Sequence, residues 1–248
     1  MRKIGINLLV FKEDLDNGRK QSEILKEISN LDLSIAEVRR EYIKNFEEEL
    51  YEIRQESEKY KLEIFYSVPE KISIYGKLNN DIEEYFKEAK IMNATHIKFN
   101  IGTLEGLINS EIDRLKKIIK EFNIEVTIEN DQTIENGNLN SVIGANKFIE
   151  NNNFNIGYTF DAGNWFWQNE DPNSSFEVLK SDITVFHLKD AKVENNKPKN
   201  VLVLQGKVNL GHMVENLSKS VPIIIEYPIS SLDINSEVDK VKDLVNVK

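Results

Sequence analysis

The sequence contains no cysteine and only 3 histidines among its 248 residues. The absence of cysteine excludes disulfide bonds and every metal site that is built from thiolates. It is also typical of proteins that work in a reducing compartment, so we expect a cytoplasmic location. The shortage of histidine excludes metal clusters that need many imidazole ligands. Any metal in this protein must therefore be held mainly by oxygen atoms.

Long apolar runs and a positive charge balance are missing as well. No stretch approaches the roughly 20 consecutive apolar residues of a membrane span. The apolar run within the first 16 residues is too short for a signal peptide and has no small-residue cleavage pattern. The formal net charge of -10 argues against electrostatic binding to nucleic acid or to an anionic membrane. We therefore expect no nucleic-acid partner and no membrane association.

Short apolar segments alternate with longer amphipathic segments along the chain. Eight strands are predicted at 3–9, 34–39, 62–67, 95–101, 124–129, 156–161, 183–188 and 222–226. Eight helices are predicted at 19–30, 45–60, 81–92, 110–122, 139–150, 174–180, 212–218 and 236–245. Strict alternation of strand and helix indicates a parallel sheet in an α/β protein. Eight such units predict a single (β/α)8 TIM barrel domain over residues 1–248, with an open doubly wound sheet as the alternative.

Two details of this assignment concern irregular segments. Residues 191–210 form a stretch that is too long for a simple connection between a strand and a helix. A small additional strand is predicted within it at 201–204. The third barrel strand is expected to stop before Pro69, because proline cannot donate to the hydrogen-bond ladder of a central strand.

Polar and apolar side chains alternate within the predicted strands. In the fourth strand Ile97 and Phe99 share one face and Lys98 lies on the other, since side chains alternate with a period of two. In a barrel the apolar face packs against helices, and the other face points inward toward an active site at the C-terminal ends of the strands. The inward polar residues are therefore expected to converge; they are Asn7, Glu37, Arg39, Ser67, Lys98, Asn100, Glu129, Asp161, His187, Lys189 and Glu226.

The last four strands each finish on a residue that can bind a metal. These residues are Glu129, Asp161, His187 and Glu226. Three carboxylates and one imidazole suit Mn²⁺, Mg²⁺ or Co²⁺ better than a structural zinc ion, which prefers cysteine and histidine. The sequence therefore predicts one bound divalent ion, with Mn²⁺ as the preferred cofactor and Mg²⁺, Co²⁺ or Zn²⁺ as alternatives.

The same strand ends carry a resemblance to a known family. The segments IEN at 128–130, FDAGN at 160–164, FHLKD at 186–190 and IEYP at 225–228 resemble, in this order, the xylose isomerase-like TIM barrel superfamily, often labelled sugar phosphate isomerase/epimerase. The resemblance covers nearly the whole chain. It implies a metal-dependent isomerase or epimerase that acts on a sugar or a related hydroxy-ketone. In the ketose 3-epimerase branch, the residues that match Glu129 and Glu226 take and return a proton through an enediolate.

The expected substrate pocket departs from that of the ketose 3-epimerases. Those enzymes carry a histidine where this chain has Asn164, and an arginine after the histidine of strand 7 where this chain offers only lysines. Glu135 lies where they have a substrate-binding glutamate. Lys98 and Lys189 either neutralise the carboxylates or hold a substrate phosphate, and Trp165 either lines the pocket or packs under a loop. The predicted substrate-binding residues are Glu135, Asn164, Lys189, Lys98, Asn100, Glu37, Asn7 and Trp165.

Other activities within the same superfamily stay open as alternatives. They are an inosose-type dehydratase, a hydroxypyruvate isomerase and a non-catalytic sugar-binding relative. An endonuclease IV-type DNA repair enzyme is disfavoured, because it needs a trinuclear zinc cluster with many histidine ligands. The other two histidines are expected in structural roles, His96 in the barrel bottom and His212 at the start of a helix. The aromatic residues that follow strand 6 lead us to expect a homodimer.

Overall fold

The computed structural model describes residues 2–246, in which eight parallel strands close into one barrel. Each barrel strand pairs with the next in sequence, and the eighth pairs with the first, so the sheet has no free edge. The prediction of a single (β/α)8 TIM barrel is thereby confirmed. The strands are β1 (Ile4–Asn7), β2 (Ile35–Arg39), β3 (Glu63–Lys71), β4 (His96–Asn100), β5 (Glu125–Glu129), β6 (Ile156–Asp161), β7 (Ile183–Leu188) and β8 (Ile223–Ile225).

One main helix follows each strand on the outside of the barrel. Local signals set several of their ends: the Asn45 side chain accepts a hydrogen bond from the Glu47 amide at the start of α2, and Asn123 takes a left-handed conformation just after α4. Within residues 2–246, no helix combines the length and the apolar character needed to cross a bilayer. The helices are α1 (Gln21–Asn30), α2 (Phe46–Tyr60), α3 (Ile82–Ile91), α4 (Asn109–Phe122), α5 (Leu139–Asn151), α6 (Pro172–Leu179), α7 (Leu210–Asn216) and α8 (Ile234–Asn246).

The main hydrophobic core lies between the sheet and this ring of helices. Phe99 of β4 lies 6.2 Å from Phe86 of α3, measured between ring centroids. Phe160 of β6 lies 5.8 Å from Phe176 of α6 in the same way. The apolar face of each of these strands therefore points outward, as the alternation in the sequence predicts.

Inside the barrel, a small group of apolar side chains occupies the N-terminal end. We call Ile35, Phe65, Val185 and Ile224 the barrel floor; they form a buried cluster separate from the main core. Two positions further along the same strands come Glu37, Ser67, His187 and Glu226. Because side chains two apart on a strand share a face, the polar set lies directly above the floor.

Three segments differ from the sequence prediction. Strand β1 ends at Asn7 rather than residue 9, because Asn7 Oδ1 accepts the Leu9 amide at 2.8 Å and starts a 3₁₀ turn. Strand β3 runs through Pro69, where its pairing with β4 changes register. The predicted strand at 201–204 is wrong: the segment contains instead a hairpin of Asp190–Glu194 with Lys197–Val201. A second hairpin, Ser73–Ile74 with Lys77–Leu78, follows β3.

Gly5 is a position in the barrel wall that leaves no room for a side chain. A Cβ atom there would lie 2.6 Å from Ile35 Cβ, 2.7 Å from Ile224 Cδ1 and 2.9 Å from the Ile35 carbonyl oxygen. These contacts are shorter than van der Waals separations, and both isoleucines belong to the closely packed floor. Glycine at position 5 therefore lets β1 close against its neighbours.

We expect Gly5→Ala to lower the free energy of unfolding by about 1–3 kcal/mol, the usual cost of overpacking a core. Urea denaturation measures this change. Gly211→Ala is the matched control, because a Cβ at that α7 position would meet its nearest neighbour only at 3.9 Å. That variant should be neutral or slightly stabilised. Equal stability of the two variants would contradict the packing account.

His96 adjoins the barrel floor, in the structural role predicted for it. Its ring lies 4.4 Å from the Phe65 ring centroid, and Nε2 lies 3.0 Å from Thr127 Oγ1. The side chain is buried, and burial lowers the pKa of His96 from 6.5 to about 4. The folded protein therefore holds this imidazole neutral where the unfolded chain would protonate it.

Because the unfolded state binds this proton first, the contribution of His96 to stability is lost as the pH falls from about 6.5 to about 4. Over that interval we expect the free energy of unfolding of the wild type to fall by up to about 3 kcal/mol more than that of His96→Gln. Denaturation across a pH series measures it. Parallel profiles for the wild type and His96→Gln would refute this assignment.

Candidate metal centre

The four predicted metal ligands meet at the C-terminal mouth of the barrel. Glu129 and Asp161 are the last residues of β5 and β6, His187 lies near the end of β7, and Glu226 directly follows β8. One ligand atom from each residue falls within 4.8 Å of the others, and all four side chains are buried. Parallel strands deliver their C-terminal ends to one face, which is why residues far apart in sequence converge here.

His187 lies at the centre of this group. Its Nδ1 is 2.7 Å from Glu129 Oε1 and 2.9 Å from Glu226 Oε2, while Nε2 is 3.1 Å from Glu37 Oε2. Burial on its own would lower the pKa of His187, but these three carboxylates raise it well above its ordinary value. Glu37, on β2, is the carboxylate that contacts Nε2, the ring nitrogen that faces away from Glu129 and Glu226.

Three further basic side chains, together with His187, balance the four carboxylates inside the barrel. Lys98 Nζ lies 2.5 Å from Glu129 Oε2, and Arg39 Nη1 lies 2.8 Å from Glu226 Oε1. Lys189 Nζ contacts both Asp161 Oδ2 and Glu226 Oε2. Burial would raise the pKa of the Glu226 carboxyl, but Lys189 and His187 hold it well below its usual range. The carboxylate is therefore kept ionised.

Backbone and amide groups fix the orientation of Asp161. Its Oδ1 accepts hydrogen bonds from the amides of Gly163 at 2.9 Å and Asn164 at 3.0 Å. Asn130 pairs with the Asp161 backbone, donating to its carbonyl oxygen at 3.0 Å and accepting from its amide at 2.9 Å. The Tyr158 hydroxyl donates to Asn130 Oδ1 at 2.7 Å. Sequence reasoning did not single out Asn130, although its place directly after Glu129 is a signal that could have found it.

The donor set fits a divalent metal ion. Three carboxylates and one imidazole supply oxygen and nitrogen ligands of the kind that Mn²⁺, Mg²⁺, Co²⁺ or Zn²⁺ accepts. Glu129 Oε1 is buried and accepts no hydrogen bond with acceptable geometry. A buried carboxylate oxygen without a donor is costly unless a cation satisfies it. The residues present could therefore hold a metal, and Glu129 Oε1, whose nearest basic neighbour is His187 Nδ1, is an oxygen that could bind it.

The predicted substrate-binding residues divide into two groups by position. Asn7, Glu37, Lys98 and Lys189 are buried inside the barrel beside the four ligands, and Asn7 donates to Glu37 Oε2 at 2.6 Å. Asn164 is also buried, and its side chain donates to the Asn130 carbonyl oxygen at 3.0 Å.

The remaining three predicted residues lie at the end of β4 and in the loops that follow β5 and β6. Asn100 is half-buried at the end of β4, and its amide donates to the Pro69 carbonyl oxygen at 3.3 Å. Trp165 is fully buried and lies 5.5 Å from the Phe160 ring centroid. Glu135 is exposed, on the loop that follows β5.

The fold and the centre together define a class of protein: a TIM barrel with a buried carboxylate–histidine centre at the C-terminal ends of β5 to β8. The sequence pattern of the family described as "Xylose isomerase-like TIM barrel" matches residues 44–245. The chain belongs to that family, which confirms the resemblance seen in its strand ends. No curated protein matches the chain.

Several solved structures share the fold. A D-tagatose 3-epimerase-like protein superposes with a TM-score of 0.73 at 16% identity, covering 98% of each chain. The IolI protein, solved with a bound zinc atom, gives a TM-score of 0.72 at 13% identity and covers 98% of each chain. D-Psicose 3-epimerase from Clostridium cellulolyticum H10 gives a TM-score of 0.70 at 10% identity, again covering 98% of each chain. At these identities the likeness concerns the fold alone.

The contact of Glu37 with His187 leads to a prediction about metal affinity. A carboxylate on the second ring nitrogen fixes the ring and makes the ligating nitrogen more basic, and its loss typically weakens metal binding 10–100-fold. We therefore expect Glu37→Gln to weaken Mn²⁺ binding by about that factor, measured by isothermal titration calorimetry. The exposed residue Glu135 provides the control, because Glu135→Gln should leave Mn²⁺ affinity unchanged. An unaltered affinity in Glu37→Gln would show that this carboxylate does not support the histidine.

Proposed function

We propose that this protein is a divalent-metal-dependent isomerase or epimerase of a sugar or a related hydroxy-ketone. The observation that carries the proposal is the placement of two carboxylates, Glu129 and Glu226, on the same nitrogen of His187. Their oxygens lie 2.7 Å and 2.9 Å from His187 Nδ1. Two proton acceptors beside one ligand cluster are what a reaction needs if it removes a proton from carbon and returns one.

The structural relatives support a reaction of this kind. Two of them carry epimerase names, D-tagatose 3-epimerase-like protein and D-psicose 3-epimerase. The IolI structure contains a zinc atom on the same fold. We propose that Glu129, Asp161, His187 and Glu226 of this chain hold one divalent ion, with Mn²⁺ as the preferred metal. An ion bound there would polarise a substrate carbonyl and make the neighbouring C–H bond more acidic.

Glu129 and Glu226 are the proposed acid and base. Burial would raise the pKa of Glu129, but Lys98 and His187 lower it below its ordinary value, so the carboxylate is ionised and able to accept a proton. Arg39, Lys189 and His187 keep Glu226 ionised in the same way. If the two carboxylates act on opposite faces of a carbon, the reaction inverts that centre; if they act on one face, it isomerises.

The remaining predicted residues are proposed to bind the substrate. Asn7, Asn100 and Asn164 offer amide groups around the barrel mouth that suit hydroxyl groups, which both donate and accept hydrogen bonds. Lys98, Lys189 and Glu37 are proposed to bind or orient the substrate beside the ligands. Glu135 and Trp165 belong to the loops after β5 and β6, and we propose that these loops contact the substrate. A cytoplasmic location and a homodimer stay predictions.

We expect Glu226→Gln to lower proton exchange at carbon by about 100-fold or more, the usual contribution of a general acid or base. The assay follows deuterium uptake from D₂O into D-fructose, D-tagatose and hydroxypyruvate by NMR at saturating Mn²⁺. Glu88→Gln is the control. Glu88 is a buried carboxylate that pairs with Arg40 at 2.8 Å outside the metal centre, so its loss should lower stability but preserve exchange.

The products of the same assay separate the alternatives. An epimer or an isomer supports the proposed function, whereas loss of water from an inosose, added as a fourth substrate, identifies a dehydratase on the same centre. Metal-loaded protein that exchanges no proton in any of these compounds would overturn the proposed function. An active Glu226→Gln enzyme would remove that residue from the proton transfer.

A further inference from the structure

Lys189 places its ammonium group between two of the four candidate ligands. Its Nζ donates to Asp161 Oδ2, lies 3.2 Å from Glu226 Oε2 and lies 3.3 Å from Asn164 Oδ1. A lysine ammonium has three donors and no acceptor, so these three oxygens satisfy it completely. Of the two roles that the sequence left open for Lys189, neutralisation of the carboxylates is the one that its contacts favour.

The oxygen that Lys189 contacts is the one that a metal would need. Asp161 Oδ1 already accepts hydrogen bonds from the Gly163 and Asn164 amides. Oδ2 is therefore the Asp161 oxygen that remains for ligation. The Lys189 ammonium occupies that oxygen and at the same time contacts Glu226, a second ligand.

The aliphatic part of the Lys189 side chain passes so close to position 163 that only a glycine there leaves room for it. A Cβ atom at position 163 would lie 2.7 Å from Lys189 Cγ and 2.8 Å from Cδ. The lysine is only 4% exposed, so it has little room to adopt other rotamers without a change in its surroundings. Gly163 thus has two roles, since its amide orients Asp161 and its missing side chain makes room for the lysine.

Lys98 provides an internal comparison. Its Nζ contacts Glu129 Oε2 at 2.5 Å and leaves Glu129 Oε1 without a hydrogen bond. Lys98 therefore neutralises its carboxylate and leaves one oxygen free for a metal. Lys189 neutralises Asp161 through the only oxygen that the backbone amides have not already engaged.

We propose that Lys189 is an internal competitor for the divalent ion. Its ammonium holds Asp161 and Glu226 in place, and it must leave Asp161 Oδ2 before an ion can bind all four ligands. A divalent ion and an ammonium group on one buried oxygen would repel each other strongly. This inference rests on the proposed metal centre and adds that metal binding is an exchange of one cation for another.

The test compares Mn²⁺ affinity, by isothermal titration calorimetry, in the wild type, Lys189→Met and Lys98→Met. Both substitutions remove one buried positive charge and one lysine contact to a ligand carboxylate, but only Lys189→Met frees the single Asp161 oxygen that the backbone amides leave over. We expect Lys189→Met to bind Mn²⁺ about 10- to 100-fold more tightly than Lys98→Met does, because binding no longer breaks hydrogen bonds between charged groups. Equal gains in the two variants would overturn the proposal, since nearby charge alone would then explain them.

A second measurement uses the unaltered protein and does not depend on the folding of either variant. The Nζ signal of Lys189 in ¹⁵N-lysine-labelled protein, assigned by its loss in Lys189→Arg, is followed by NMR during titration with diamagnetic Zn²⁺. We expect it to shift or disappear as one equivalent binds. An unchanged signal in protein that demonstrably binds Zn²⁺ would overturn the role of Lys189 and leave the metal centre intact. No metal binding to the wild type or to Lys189→Met would overturn the centre itself.

Discussion

The interior of this barrel depends on the mutual neutralisation of four carboxylates and four basic side chains, one of which is His187. Glu37, Glu129, Asp161 and Glu226 are each at most 4% exposed, and a buried charge without a partner costs several kcal/mol. Arg39, Lys98 and Lys189 reach them from β2, from β4 and from the end of β7. These charged residues lie on, or directly after, six of the eight strands. The network therefore forms only if all those strands lie in register. The same requirement explains why the apolar floor is confined to one end of the barrel.

A buried carboxylate is not by itself a sign of a functional site in this protein. Glu49, Glu88 and Glu237 are also buried, but their partners are structural: the Gln21 amide, the Arg40 guanidinium, and the Val203 amide with the Tyr227 hydroxyl. The Glu49 pair joins α2 to the start of α1, and the other two tie a helix to a neighbouring loop. The carboxylates of the candidate metal centre differ because they face one another, and because one buried oxygen of Glu129 accepts no well-aligned hydrogen bond.

Much of the fold and the convergence of the four candidate ligands could be predicted because both depend on periodicity. Alternation with a period of two indicates which residues face inward, and strand ends in a parallel barrel share one face. The pairing of Lys189 with Asp161 and of Glu37 with His187 could not be predicted. The alternation shows that a side chain points into the barrel, but it does not show which side chain it contacts there. The hairpin at 190–201 was missed for another reason. Its strands, DAKVE and KPKNV, carry lysine, asparagine and proline, which are uncommon in strands, and only their pairing with each other makes them extended.

The pairing of β8 with β1 has a consequence for how the protein is made. The barrel joins Ile4–Ile6 to Ile223–Ile225, and Glu226 follows directly on this last strand. During synthesis, earlier segments can form strands and helices as they leave the ribosome, but they cannot close the sheet or complete the ion network. Until residue 226 has emerged, β1 lacks one of its two neighbours. His187 and Arg39 each lack one of their carboxylate partners, Glu226. The nascent chain must therefore carry an open sheet edge and an incompletely balanced set of charges until residue 226 has left the ribosome.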